Sequence, residues 1–128
     1  MMDLVDQTLR EWRTSDFAYG QTDCMLSVGR YLARAGRKDV TGLFVGRYDT
    51  QEGALVMMAE HGGAGALIAA TGATPVDGRP QRGDVLALVY GEDTIGALCT
   101  GGMVAARLDR GIVEVSLRLV KWRGAWRP

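Results

Sequence analysis

The hydrophobic period of this chain changes once, near residue 83, and this change limits the folds that the chain can adopt. Before that point apolar side chains recur every three to four residues, as at Val5, Leu9 and Trp12, which is typical of amphipathic helices. From Asp84 onwards the pattern becomes extended, and the apolar run at 85–89 indicates a central strand. Helices followed by strands predict an α+β fold, with N-terminal helices packed on a small antiparallel sheet.

Four helices are predicted in the first part of the chain, over residues 2–13, 24–35, about 50–60 and 65–70. The third helix should have Asp49 as its N-cap, because Glu52 follows three residues later, as in a capping box. A turn-rich linker with Pro75 and Pro80 then leads into the strands.

Four extended segments are predicted in the second part, over residues 84–90, 94–100, 103–108 and 112–120. Asp109-Arg110-Gly111 is a hairpin signal between the last two segments. Alternation in the final segment predicts one apolar face, formed by Val113, Val115, Leu117 and Leu119. We therefore expect a single domain over residues 1–128, with a helical part at about 1–72, a sheet part at about 83–120 and a C-terminal tail at 121–128.

The charge balance argues against several classes of partner. Fifteen Lys and Arg residues balance fifteen Asp and Glu residues, so no bulk charge favours nucleic acid or an anionic membrane. The N-terminal segment carries acidic residues and does not resemble a signal peptide. No apolar run reaches the roughly 18 residues of a membrane span. We expect a protein that is made in the cytoplasm and binds neither nucleic acid nor membrane.

Neither a metal nor a cofactor is predicted. His61 is the only histidine and no Cys-x-x-Cys pair occurs, so the chain lacks a metal-binding motif. The glycine-rich stretch 62–65 lacks the Lys-Ser/Thr pair of a phosphate-binding loop. The two cysteines, Cys24 and Cys99, lie in apolar surroundings and are expected to be free thiols, with Cys99 serving only for packing.

The segment 17–24 has the form of a cysteine nucleophile at the start of a helix. A glycine-containing loop leads into Asp23, which can cap the helix, and Cys24 follows in the first turn. The helix dipole and the free backbone N–H groups there favour a thiolate. A second interpretation stays open, because the same helix face carries Val28 and Leu32, and a free cysteine also packs as a small apolar residue.

Several motifs, taken in order, carry a resemblance to known families. They are Phe17-Ala18-Tyr19-Gly20 with Asp23-Cys24, then Arg82-Gly83-Asp84-Val85, then the segment 94–101. This order resembles the NlpC-type cell-wall cysteine peptidases and implies a papain-like fold with Cys24 as the nucleophile. Gly46-Arg47-Tyr48 and Ala125-Trp126-Arg127 add a closer resemblance to a family of small uncharacterised proteins from phage and prophage tail regions.

The resemblance also identifies what is missing. Where those peptidases carry their catalytic histidine, this chain has Thr94, which cannot hold or deliver a proton near neutral pH. We expect Asp23 to cap the helix rather than to act as an acid. His61 is expected to be a solvated residue at a helix end, with a pairing to Cys24 as the alternative. The pair Arg47-Tyr48 is expected to reach the region of Asp23 or Asp84 as an ion pair and so to support the loop before Cys24, with substrate binding as the alternative.

The C-terminal tail carries the candidate interaction residues, which are Trp122, Arg123, Trp126 and Arg127. Trp and Arg are enriched in binding hot spots, so this tail either docks on a neighbouring protein or covers the edge of the sheet. The sequence leaves both interpretations open.

The resemblance and the missing histidine together imply a structural or assembly protein of a phage tail, in the tail-tip or hub region, with a degenerate and inactive peptidase fold. Its partners would then be other tail or particle proteins, and its location the virion. The alternative is a peptidoglycan-cleaving cysteine peptidase or amidase that uses Cys24 with an unconventional base.

Overall fold

The computed structural model describes residues 2–128 and has an α+β fold, as predicted. Its helices are α1 (Leu4–Thr14), α2 (Cys24–Arg34), α3 (Gln51–Glu60) and α4 (Ala64–Ala70), with short 3-10 turns at Thr41–Leu43 and Leu117–Leu119. Its strands are β1 (Thr74–Pro75), β2 (Val85–Tyr90), β3 (Asp93–Cys99), β4 (Met103–Leu108), β5 (Gly111–Ser116) and β6 (Trp122–Arg127). They form one antiparallel sheet in the order β1-β6-β2-β3-β4-β5.

The central strands are buried on both faces, which is why their sequences are apolar without alternation. On one face Val85, Leu98 and Ala105 pack with residues of α1 and α2, including Val5 and Leu32. The other face forms a second apolar cluster, which contains Leu86, Ala97, Cys99, Val104 and Ala125. Cys99 is fully buried there, so its predicted packing role is confirmed.

Helix α3 begins one residue later than the sequence predicted. Its N-cap is Thr50, whose side chain accepts a hydrogen bond from the backbone N–H of Gly53. The prediction of Asp49 as the cap was therefore wrong. A threonine side chain can also fill this role, and the sequence offered both residue types in consecutive positions.

The predicted strand 112–120 was wrong over its last four residues. The strand ends at Ser116, whose hydroxyl accepts a hydrogen bond from the N–H of Arg118 and starts a 3-10 turn. Leu117 turns into the core, whereas Leu119 is 83% exposed. The apolar alternation therefore does not define one buried face, because the backbone changes conformation halfway along it.

The C-terminal segment is a strand of the sheet rather than a separate tail. Strand β6 lies between β1 and β2 and is paired with both. Arg127 forms two hydrogen bonds of 2.9 Å, through Nε and Nη2, with the two carboxylate oxygens of Asp84. Asp84 is only 1% exposed, so this ion pair compensates a buried charge and joins the end of β6 to the start of β2.

Candidate functional site

Cys24 lies in a cleft of about 550 Å³ that is partly open to solvent. Four parts of the chain form its walls: the loop before α2, the start of α2, one side of α3, and the ends of β2, β3 and β4. Much of the lining is aromatic or apolar, and it includes Phe17, Tyr19, Tyr48, Leu55 and Tyr90. A half-open, largely apolar cleft with a few polar groups is the general form of a ligand site.

Asp23 builds the helix start that carries the cysteine. Its Oδ1 accepts a hydrogen bond of 3.1 Å from the N–H of Leu26, as an N-cap does. Its Oδ2 accepts two more, from the N–H of Gly20 at 2.8 Å and from the hydroxyl of Tyr48 at 2.6 Å. The predicted capping role of Asp23 is thus confirmed. Because three donors already engage this buried carboxylate, it is poorly placed to accept a proton from a substrate.

The segment 46–48 supports the loop before Cys24, as predicted. The N–H of Gly46 donates to the carbonyl of Gly20, and Tyr48 reaches Asp23 through its hydroxyl. Gly20 has a φ of +78°, and a Cβ there would lie 1.9 Å from the carbonyl oxygen of Tyr48. Only glycine fits this position. The expected ion pair was wrong: among residues 2–128 Arg47 forms none, Asp84 is paired with Arg127, and the contact with Asp23 is made by the Tyr48 hydroxyl.

The acidity of Cys24 differs from the prediction. Burial of the thiol, followed by the negative charge of Asp23, raises the pKa of Cys24 to about 12. The backbone N–H groups of Gly96, Met25 and Cys24 itself act to lower this pKa but are outweighed. The predicted thiolate at a helix N-terminus was therefore wrong, because desolvation exceeds the effect of the helix end.

Thr94 shares a sheet face with Gly96, since the two residues are separated by one position in β3. A Cβ on Gly96 would lie 2.9 Å from Met25 Sδ and 3.2 Å from Val28, so this face packs against α2. Thr94 is half-buried and pairs with Val89 of β2. Within residues 2–128 the lining of the Cys24 cleft includes neither Thr94 nor any histidine.

His61 lies away from this cleft, at the C-terminal end of α3. Its Nδ1 is 2.9 Å from the carbonyl oxygen of Met57, and its ring packs edge-on against Phe44. The residue is exposed. The prediction of a solvated helix-end histidine is confirmed, and the structure does not bring His61 to Cys24.

Arg107 is the residue of this site that sequence reasoning missed. It is only 3% exposed, lines the Cys24 cleft, and donates through Nη2 to the carbonyls of Ser15 and Asp16 and to the hydroxyl of Ser15. Burial lowers the pKa of its guanidinium. The available signal was an arginine inside the otherwise apolar segment 103–108.

The candidate interaction residues of the C-terminal segment do not line the cleft. Trp122 packs against the apolar cluster that contains Leu86, and Trp126 packs against the core beneath α1 and α2. Arg127 is engaged with Asp84, while Arg123 is exposed. Both tryptophans are half-buried, so most of this segment serves the sheet.

Two further findings concern metals and membranes. Over residues 2–128 no group of three or more His, Cys, Asp or Glu side chains is placed to hold a metal ion. In the same part of the chain no single helix is long and apolar enough to cross a membrane, although α3 and α4 meet the length and composition criteria together as a pair bent by 61°.

Comparison with known proteins identifies a family but no activity. No curated protein and no solved structure matches this sequence. One family model, described as a domain of unknown function, DUF6950, matches residues 2–128. Since that match spans nearly the whole chain, the protein belongs to the DUF6950 family.

Proposed function

We propose that this protein is a structural or assembly component of a phage tail or tail-like particle, in the tail-tip or hub region, and that it carries an inactive, papain-like cysteine-peptidase site. The tail assignment is supported by the order of the sequence motifs at 17–24, 46–48, 83–84 and 125–127. The inactivity is supported by one structural observation. The described lining of the cleft around Cys24 contains no histidine, and burial there raises the pKa of the thiol to about 12.

The size of this effect supports the proposal of an inactive site. With a pKa of about 12, the thiolate fraction of Cys24 at pH 7 is on the order of 10⁻⁵, compared with a few per cent for an ordinary cysteine. A positioned acid or base contributes roughly 10²–10⁴-fold in rate, and Thr94 cannot supply it. Asp23 already accepts three hydrogen bonds. The geometry thus favours a cleft that binds without cleaving.

The test of inactivity is incubation of purified protein with muropeptides, wild type beside Cys24→Ala. We expect no cleavage by either protein, as followed by mass spectrometry of the muropeptides. Cleavage that depends on Cys24 would overturn the proposal of an inactive site.

The test of tail membership uses particles purified from the bacterium that carries the gene. We expect the chain to sediment with the particles and to be cross-linked to another tail protein. Recovery of the chain only from the supernatant, while the other tail proteins sediment, would overturn the assignment.

A second candidate function is peptidoglycan cleavage by Cys24 with an unconventional base. It is favoured by the position of the thiol, which lies in a partly open cleft where the backbone N–H groups of Gly96 and Met25 act to lower its pKa. Backbone donors of this kind can also stabilise an oxyanion. The muropeptide assay separates the two candidates, and activity that rises steeply above pH 9 would identify this one.

A further inference from the structure

Strand β5 forms one edge of the sheet, and its outer side has no neighbouring strand among residues 2–128. The opposite edge is protected, because β1 has only two residues and one of them is Pro75. In contrast, β5 has six residues, contains neither proline nor lysine, and pairs with β4 without a register shift. A long, regular edge strand of this kind is a template on which another strand can pair.

The hydrogen bonds of the β4–β5 hairpin show which backbone groups face outward. The N–H of Leu117 donates to the carbonyl oxygen of Gly102 at 2.9 Å, and these two residues lie opposite each other in the continued register of β4 and β5. Bonded and non-bonded pairs alternate in an antiparallel ladder. The N–H and C=O groups of Ile112, Glu114 and Ser116 therefore point away from β4, towards the open edge.

The side chains of β5 suit a second copy of the same strand. Segment 112–116 reads Ile-Val-Glu-Val-Ser, so a valine stands on each side of Glu114. An antiparallel copy related by a twofold axis at Glu114 would place Val113 opposite Val115, and every outward-facing residue opposite another outward-facing residue. All of the outward N–H and C=O groups would then be paired. Val113, which is 38% exposed, would lose exposed apolar surface to the second copy.

The charge of β5 is compensated within each chain. Glu114 is the charged residue of this strand, and two copies of it facing each other at the axis would repel. Arg13 of α1 already forms an ion pair with Glu114, with 2.9 Å between Nη2 and Oε1. Two such pairs would bring two positive and two negative charges together at the axis. The residue that could prevent edge pairing is therefore neutralised by the helix beside it.

We propose that this protein forms a twofold-symmetric dimer in which the β5 strands of two copies pair antiparallel about Glu114. The two six-stranded sheets then become one continuous sheet. This interface is isologous, so it closes on itself and limits the assembly to two copies. The described lining of the Cys24 cleft contains no residue of β5, so the dimer is independent of the proposed function.

The experiment measures the dimer dissociation constant by sedimentation velocity over a concentration series, with Ser116→Pro as the test variant. Ser116 has a φ of −61°, which is close to the angle that proline requires, and its N–H points outward. Proline therefore fits the strand while it removes one edge donor. Ser116→Ala is the matched control, because both variants lose the hydroxyl that accepts from Arg118, whereas alanine keeps the backbone N–H. We expect the wild type and Ser116→Ala to be dimers, and Ser116→Pro to have a dissociation constant at least about tenfold higher.

A second pair of variants changes charge and leaves the backbone as it is. Arg13→Gln leaves two carboxylates opposed at the axis and should raise the dissociation constant about fivefold at low salt. Adding Glu114→Gln to this variant removes the repulsion and should restore the wild-type value.

The proposal has clear contrary outcomes. A wild type that stays monomeric up to millimolar concentration would overturn it and would leave the edge to a strand of a different protein. Equal dissociation constants for Ser116→Pro and Ser116→Ala, both folded by circular dichroism, would also overturn it, because the dimer would then form through another surface. If Ser116→Pro does not fold, the charge variants decide, and an unchanged dissociation constant in Arg13→Gln would overturn the pairing about Glu114.

Discussion

We expect the hydrogen bond between Tyr48 and Asp23 to contribute more to the free energy of unfolding than any other single contact in the candidate site. The Tyr48 hydroxyl donates to Asp23 Oδ2 at 2.6 Å, and the carboxylate is buried. Burial and this hydrogen bond raise the pKa of Tyr48, so the phenol remains the donor throughout the working range of pH. The substitution Tyr48→Phe keeps the ring and removes only the hydroxyl. Asp23 then retains two donors, the N–H groups of Gly20 and Leu26.

The expected cost follows from the charge of the acceptor. A hydrogen bond to a charged group contributes about 1.5–3 kcal/mol, roughly twice the value of a neutral one. Since two donors remain, we expect Tyr48→Phe to lower the free energy of unfolding by about 2 kcal/mol. For a chain of this length 1 kcal/mol corresponds to a shift in Tm of about 3–5 °C, so Tm should fall by about 6–10 °C.

The assay is urea unfolding followed by circular dichroism, with Tyr90→Phe as the matched control. Tyr90 is 52% exposed and forms no side-chain hydrogen bond among residues 2–128, so its variant should unfold within about 0.5 kcal/mol of the wild type. Equal unfolding free energies for Tyr48→Phe and Tyr90→Phe would refute the reasoning. That result would mean that Asp23 is satisfied without Tyr48.

Three further outcomes are expected. Iodoacetamide should modify Cys24 at pH 8 far more slowly than it modifies an unfolded control. Because the pKa of the thiol is about 12, the modification rate should rise about tenfold per pH unit up to about pH 11. A plateau of this rate near pH 9 would contradict the prediction. Gly96→Ala should lower stability by about 1–3 kcal/mol in urea unfolding because its Cβ would crowd α2, whereas Gly102→Ala, in open space, should not. Thr50→Ala should lower the free energy of unfolding by about 1 kcal/mol, because it removes the N-cap of α3. A larger effect of Asp49→Ala in the same assay would show that Asp49 is the cap instead.

Sequence pattern predicted most of the fold because its elements have strong local signals. Helix α2 has an aspartate at its N-cap and apolar residues at helical spacing, and its start at Cys24 was predicted to the residue. The strand 103–108 was likewise correct at both ends. These elements depend on periodicity and capping, which are properties of neighbouring residues.

Two of the errors came from contacts between residues that are distant in sequence. Segment 122–127 became strand β6 because it pairs with β2, some 37 residues earlier, in the register Val85↔Trp126 and Leu86↔Ala125. Its sequence, Trp-Arg-Gly-Ala-Trp-Arg, has no clear strand pattern. The buried carboxylate of Asp84 needed a cation, and the exposed side chain of Arg127 supplied it, which again depends on tertiary structure.

The candidate site was predictable in its backbone but not in its electrostatics. The loop, the cap and the cysteine lie where the motif placed them, because Asp23 and Gly20 are required by the local conformation. The pKa of the Cys24 thiol depends on how deeply the thiol is buried where α2 packs against β3. No local sequence pattern predicts that depth. The role of Arg107 was missed for the same reason, since its acceptors at Ser15 and Asp16 are about 90 residues away in sequence.

Asp23 has two opposite effects on the chemistry of Cys24, and the structure shows which effect is larger. As the cap it organises the first turn of α2 and so exposes backbone N–H groups that stabilise a thiolate. As a buried carboxylate next to the sulfur it raises the energy of a second negative charge, and the thiol's own burial adds to this. A peptidase with this motif overcomes both costs by pairing the thiolate with an imidazolium. Among residues 2–128 no histidine lines the cleft, so under the proposed function the same Asp-Cys pair that makes a good helix start makes a poor nucleophile.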